Sequence, residues 1–406
     1  MHFDILISGA GPVGLALART LAGSGLTIGL IEQHSEAALA EAAFDGREIA
    51  LTQDSAAHLR ELGLWTRIEA MVPGAFSPLR DAQVQNGPSP FAMVIPHDLA
   101  GRSELGWLVS NHLIRRAAFQ ALQAAQAEHG DITLLTGCAV ADVQVDAERA
   151  RVTLADGSEH SARLLVAADS RFSTTRRAVG IGASQHDFGR TMLVCQMTHE
   201  RAHDHVAWEW FGYGQTLALL PMNDCPETGM PRSSVVLTLP HQRIMPLARM
   251  AAAAFGADMA QRFDHRLGAM TLASTRHTYP LVGVYPSRMV APRFACVGDA
   301  AVGMHPVTAH GFNFGLLSVR TLAPLLRAAA AQGQDVAAEA LLARYERTHR
   351  RATRPLYEIT RAIATLYTAE SAPARLARDA ALRVGEALTP FKRLVAASLA
   401  GHAPSP

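Results

Sequence analysis

Lysine is almost missing from this 406-residue chain: Lys392 stands alone, so the positive charge is nearly all arginine. Acidic and basic side chains balance at 36 against 37, for a formal net charge of +1. No surplus of one sign is available to hold a phosphate backbone, and no nucleic-acid partner is expected. Cysteine is scarce as well. Cys138, Cys195, Cys225 and Cys296 are far apart and form no C-x-x-C pair. Reduced thiols, with neither a disulfide framework nor a zinc site, are therefore expected. No apolar run approaches the roughly 20 residues that span a bilayer, so no membrane-crossing helix is expected. An apolar strand opens at residue 3, which leaves no room for a targeting peptide and points to the cytoplasm. What is abundant is core material: 49% of residues are hydrophobic and 18% charged, enough for two domains.

The organising stretch is Phe3 to Glu32. Phe3-Asp4-Ile5-Leu6-Ile7-Ser8 reads as a buried parallel strand, and Gly9-Ala10-Gly11-Pro12-Val13-Gly14 follows it at once. Leu15 to Ala22 has the composition of a packed helix, and a second apolar run, Thr27 to Ile31, ends in Glu32. Strand, G-x-G-x-x-G, helix, strand and acid is the order a dinucleotide-binding unit needs. Gly9 permits a tight turn, Gly11 lets the backbone approach a pyrophosphate, and Gly14 lets helix and strand pack closely. The helix N-terminus offers free N–H groups to phosphate. An acid at Glu32 favours a free ribose 2′-OH, as in FAD or NAD.

Further along, Ser35 to Asp45 reads as irregular. Asp54 to Gly63 is a glycine-closed helix, and Asn111 is an N-cap for a helix reaching Glu128. Ser161 to Ala168 is a second buried strand ending at Asp169. From Gly182 the pattern becomes that of a largely antiparallel sheet, broken by one helical stretch from His241 to Phe263. Phe294 to Val297 is again a buried strand, followed by Gly298-Asp299-Ala300-Ala301, a loop with His305-Pro306 and Gly311-Phe312-Asn313, and a helix from about Phe314. The expected fold is α/β: a Rossmann-like cofactor domain (1–71, 96–181 and 286–332) with an inserted antiparallel substrate domain (72–95 and 182–285). A helical region, 333–406, completes it.

Three stretches thus converge on one cofactor, and here the chain resembles the FAD-dependent aromatic hydroxylases of the p-hydroxybenzoate hydroxylase fold. It looks most like their ubiquinone-biosynthesis branch. The resemblance includes Arg47-Glu48-Ile49-Ala50-Leu51, Leu105-Gly106-Trp107, the Asp169 segment and Gly298 to Leu316. It implies that Gly9, Gly11, Gly14, Glu32, Arg47, Asp169 and Asp299 contact FAD and that Pro306 to Asn313, Gly311 and Phe312 included, line the isoalloxazine. It further implies O2, a polyprenylated phenol or quinol as substrate, and a transiently bound NAD(P)H or another electron donor. A lipid-borne substrate in turn implies contact with the inner face of the membrane or with a biosynthetic complex. The arginines from Arg344 to Arg354 are either a solvated face or part of that contact.

Six positions depart from the family pattern. Ala167, Ser170 and Ala309 stand in place of glycines, Val302 of a histidine, His310 of a glutamine and Ser318 of an acid, and the combination resembles the UbiM-type branch. No side chain is assigned a catalytic role, although His305 and His310 border the flavin loop and are candidate acid–base groups. Trp208, Trp210, Phe211 and Tyr213 either pave an aromatic pocket or fill a core. Trp208-Glu209-Trp210 resembles the start of the halogenase signature W-x-W-x-I-P, but Phe211-Gly212-Tyr213 follows and the one lysine is in the tail. A hydroxylase of a soluble aromatic acid remains a rival. A non-catalytic nucleotide-binding scaffold is the non-enzyme alternative, separable by its absorbance spectrum.

Overall fold

The computed structural model describes residues 1–212, 214–368 and 371–401. His2–Ser8 takes the centre of the first sheet, because Ile5, Leu6 and Ile7 offer apolar side chains to both faces and are fully buried. Ile28–Glu32 and Glu159–Ala167 flank it in parallel. Ile132–Thr136 and Phe294–Cys296 extend the sheet outward, also in parallel. A hairpin, Val140–Val145 with Ala150–Leu154, joins Glu159–Ala167 antiparallel. Helices Pro12–Leu21, Asn111–His129 and Gly311–Ala331 share one core with this sheet. The register pairs Ser8 with Ala167 and Ala167 with Cys296, so the turns after three strands emerge side by side. A ligand of an open parallel sheet binds at that carboxyl edge.

The second sheet has eight strands, with Ala183–His199, Arg232–Leu239, Gln215–Met222 and Val206–Gly212 at its centre. One pair is parallel, Val206–Gly212 on Asp81–Asn86; the remaining pairs are antiparallel. Its outer face is covered by two short helices, His241–Arg249 and Ala252–Arg262, rather than one. Pro246 sits in the first of them, and Met250 and Ala251 adopt extended backbone between the two. A third sheet of Glu48–Thr52, Gly106–Ser110 and Ser77–Leu79 bridges the two large ones. The tail forms Glu339–Thr368, Ala372–Ala387 and Thr389–Ala400.

Three further expectations change. Ser35 to Asp45 is not irregular throughout: Glu36–Glu41 is a helix, capped where Ser35 Oγ accepts the Ala38 N–H. Asn111 is not a cap; Ser110 takes that position, and the Asn111 amide donates to Asp45 Oδ2 at 2.8 Å. Gly311–Ala331 is long and apolar enough to cross a membrane by length and composition, but half of its most apolar window is buried. Leu316, Val319, Leu322 and Leu326 pack into the first core, which is why a helix of a globular fold passes that test.

Candidate functional site

The three fingerprint glycines have different physical reasons. Gly9 sits at φ +109°, where a Cβ would lie 2.6 Å from the Ala168 carbonyl oxygen. At Gly14 a Cβ would lie 2.0 Å from the Gly9 oxygen, so turn and helix close only on glycine. Gly11 precedes helix Pro12–Leu21 and has nothing within 4 Å of a Cβ position. That open side, before a row of unpaired N–H groups, suits a pyrophosphate.

Glu32 is buried at the end of the second parallel strand. Its Oε2 accepts the Ala10 N–H at 2.9 Å, and its Oε1 accepts the His34 N–H at 3.0 Å, with His34 Nδ1 2.6 Å away. The carboxylate therefore fixes the fingerprint turn, and its further lone pairs remain compatible with a ribose hydroxyl. Asp169 behaves similarly. Its Oδ2 accepts from the Thr175 N–H at 3.2 Å and the Thr175 hydroxyl at 3.0 Å. Its Oδ1 is buried with no partner among the described residues. An orphaned carboxylate oxygen costs about 1–3 kcal/mol or more, which a ligand hydroxyl would relieve. The open Gly11 cradle and this orphaned oxygen fit FAD. Asp299, in the turn Gly298–Ala300, keeps 40% of its side chain exposed and accepts from Arg171 Nη2 at 3.4 Å.

Arg47 immediately precedes the third-sheet strand Glu48–Thr52 and donates to Asp45 Oδ2 from Nη2 at 2.6 Å and from Nε at 3.1 Å, with its guanidinium over Tyr279. Burial opposes its charge, yet Asp45 holds it above the usual value and Asp299 adds to that field. Arg47 and Asp299 thus act on one region although 252 positions separate them. Beside Arg47, Glu48 accepts from the Ser110 hydroxyl and from Gln196 Nε2, each at 2.8 Å. Burial nevertheless pushes its carboxyl up to about 7. Sequence reasoning passed over Asp45, Glu48, Gln196 and His34; only the place of Glu48 within the Arg47 motif was a signal.

In the flavin loop, Pro306 is exposed and Gly311 and Phe312 are half-buried. Asn313 is buried: Nδ2 donates to the Ala50 and Ala309 oxygens at 2.9 Å, and Oδ1 accepts the Thr52 N–H at 3.1 Å. Its amide ties the loop to Glu48–Thr52, a positioning role. His305 is held by burial, with Arg171 adding to it, near a pKa of about 4. It is neutral at physiological pH, and its Nδ1 accepts the Val307 N–H at 3.2 Å, so it caps a turn and is no proton carrier near pH 7. His310 is buried, with Nε2 3.2 Å from the Ser398 carbonyl oxygen of the tail helix. Trp208 and Trp210 pack against the core under helices 241–262. Tyr213 lies outside the described residues. Ser318, where the family pattern has an acid, accepts the Gly298 N–H at 3.0 Å and donates to the Gly315 oxygen.

Residues 2–358 match the family model described as FAD binding domain. The chain is 42% identical over 405 residues to ubiquinone hydroxylase UbiM of Neisseria meningitidis, covering 99% of this chain and 85% of that protein. It is 36% identical to ubiquinone hydroxylase UbiL of Rhodospirillum rubrum, covering 96% and 88%. Among solved structures, Pseudomonas aeruginosa PqsL in complex with 2-aminobenzoylacetate superposes with a TM-score of 0.75 at 20% identity, over 95% of this chain and 100% of that one. A glycine turn shaped for pyrophosphate, two acids at the strand ends and a match over most of the length agree: the chain belongs to the FAD-binding-domain family and is a flavoprotein monooxygenase.

Proposed function

We propose that this monooxygenase hydroxylates the aromatic ring of a polyprenylated phenol or quinol in ubiquinone biosynthesis, for example a 5-demethoxyubiquinol. The observation that carries the proposal is the full-length likeness to a ubiquinone hydroxylase at 42% identity. FAD, when bound, supplies the activation of O2, with reducing equivalents from NAD(P)H or another donor. The chain's own residues bind and orient: Gly9, Gly11 and Gly14 the pyrophosphate, Glu32 and Asp169 the nucleotide half, Asp299 the linker, and Gly311 and Phe312 the ring edge. Residues 1–71, 96–181 and 286–332 form the cofactor unit, 72–95 and 182–285 the substrate unit. Incubating the yellow holoprotein with a geranylated phenol, a reductant and 18O2 tests the function. A product carrying one heavy oxygen is expected; turnover of soluble aromatic acids alone would contradict it.

For location we favour peripheral contact with a membrane through the tail rather than through Arg344 to Arg354. Arg350 in that cluster is committed, donating to the Ser287 oxygen at 2.8 Å and lying over Tyr285. Leu376, Val384, Leu388, Phe391 and Leu394 are exposed on the last two helices, beside exposed Arg383 and Arg393. Flotation with anionic vesicles should weaken when Leu388, Phe391 and Leu394 become serine. Flotation unchanged by that triple substitution would remove the role.

A further inference from the structure

Trp208-Glu209-Trp210 places an acid between two core tryptophans. Side chains alternate along Val206–Gly212, and Trp208 and Trp210 pack under the outer helices, so Glu209 points to the opposite face. That face is turned toward the strand Glu48–Thr52. Ala207 shares it and clusters with Ala50, whose oxygen accepts from Asn313 in the flavin loop. Gln196 shares it too and donates to Glu48, and Tyr279 on the adjoining strand donates to the Asp45 oxygen at 2.7 Å. Across the sheet from Glu209 the row runs through Ala218, Val236 and Val194, with Val84 on its other side. These side chains are small and apolar and offer the carboxylate no hydrogen bond.

Glu209 is enclosed yet retains accessible surface, and no hydrogen bond or ion pair to it occurs among the described residues. Burial pushes its carboxyl up to about 8. The charged or titratable groups on this side include Tyr367, stacked on Phe211 at 3.6 Å, Arg378 over Tyr367, Arg190, Glu48, and Tyr279 with Asp45, Arg47 and His277 around it. A half-enclosed acid with no protein donor takes its hydrogen bonds from water or from a ligand that brings a hydroxyl.

We propose that Glu209 is a catalytic base that receives the ring hydroxyl of the substrate; this rests on the hydroxylase function proposed above. The phenolic O–H bond breaks, a new O–H bond forms on the Glu209 carboxylate, and the electron pair stays on the ring oxygen, enriching the carbons that accept oxygen. The proton returns when the product hydroxyl re-forms. Base and phenol are matched, because a carboxyl near 8 takes a proton from a phenol near 10 far more readily than an ordinary carboxylate does.

The test uses the FAD-loaded enzyme with 2-geranylphenol as probe and Glu209→Gln and Glu209→Asp as variants. Product and released hydrogen peroxide are measured from pH 6 to 9, with flavin content and melting temperature as folding controls. Glu209→Gln should bind FAD normally, keep consuming O2, and lose product about 100-fold in favour of peroxide. Its product rate should also lack the rise with pH that wild type shows, while Glu209→Asp keeps part of that rise. Equal product yield and an unchanged pH profile in Glu209→Gln would overturn the role of Glu209 and leave the function standing. Wild-type enzyme that leaves 2-geranylphenol unmodified would overturn the function itself, and the proposed base with it.

Discussion

Ser170 holds φ at +137° and Ala309 at +54°, in the region that disfavours any side chain with a Cβ. Both stand where the family pattern has glycine, and the backbone at these turns takes a shape that glycine adopts without strain. Ser170 follows Asp169 directly and Ala309 precedes the helix Gly311–Ala331, so both strained residues adjoin the proposed cofactor contacts. Relief of such strain amounts to about 1–3 kcal/mol, against about 0.4–1 kcal/mol for the added freedom of glycine in the unfolded chain. Ser170→Gly should therefore stabilise the protein by about 1 kcal/mol, read as a shift in urea midpoint at constant slope. A midpoint that falls would show that the Ser170 hydroxyl, which accepts the Phe172 N–H at 3.3 Å, outweighs the strain.

At the scale of elements, the helix Gly311–Ala331 shows what patterning reveals and what it hides. Its start, its glycine and its place after a buried strand are legible in Gly298 to Gly315, as is the cradle at Gly9 to Gly14. The partners of its first turn are not. Asn313 binds the strand Glu48–Thr52, about 260 positions away, and His310 binds Ser398 on the last helix. Neither separation leaves a periodic trace. Likewise Trp208 and Trp210 alternate as a strand should, but only the fold tells which face meets the flavin. Since His310 Nε2 meets a backbone carbonyl, it anchors the tail to the loop and is poorly placed to tune the flavin. His310→Gln should leave the flavin midpoint potential superimposable on wild type from pH 5.5 to 8. A curve that flattens at low pH would instead place an imidazolium beside the flavin.

Over the whole molecule, buried ionisable groups set how stability follows pH. Burial raises Glu48 to about 7 and Glu209 to about 8 from an ordinary 4.5. The unfolded chain loses those protons first, so folding becomes less favourable as pH rises through that window. His305 and His349 are lowered from 6.5 to about 4, again by burial, and weaken the fold as pH falls below 6.5. Between about 4.5 and 6.5 the two pairs oppose each other. Above 6.5 the carboxyls act alone, so stability should fall by roughly 2–3 kcal/mol on going to pH 8. Glu209→Gln should remove most of that decline, and an unchanged slope would show Glu209 solvated like a surface acid. The central claim concerns the substrate, and it is tested most directly by deleting the gene in its native host and identifying the quinones by mass spectrometry. A polyprenylated precursor lacking one or more ring hydroxyl or methoxy groups should accumulate while ubiquinone falls. Unaltered ubiquinone, with no other hydroxylase compensating, would contradict the account.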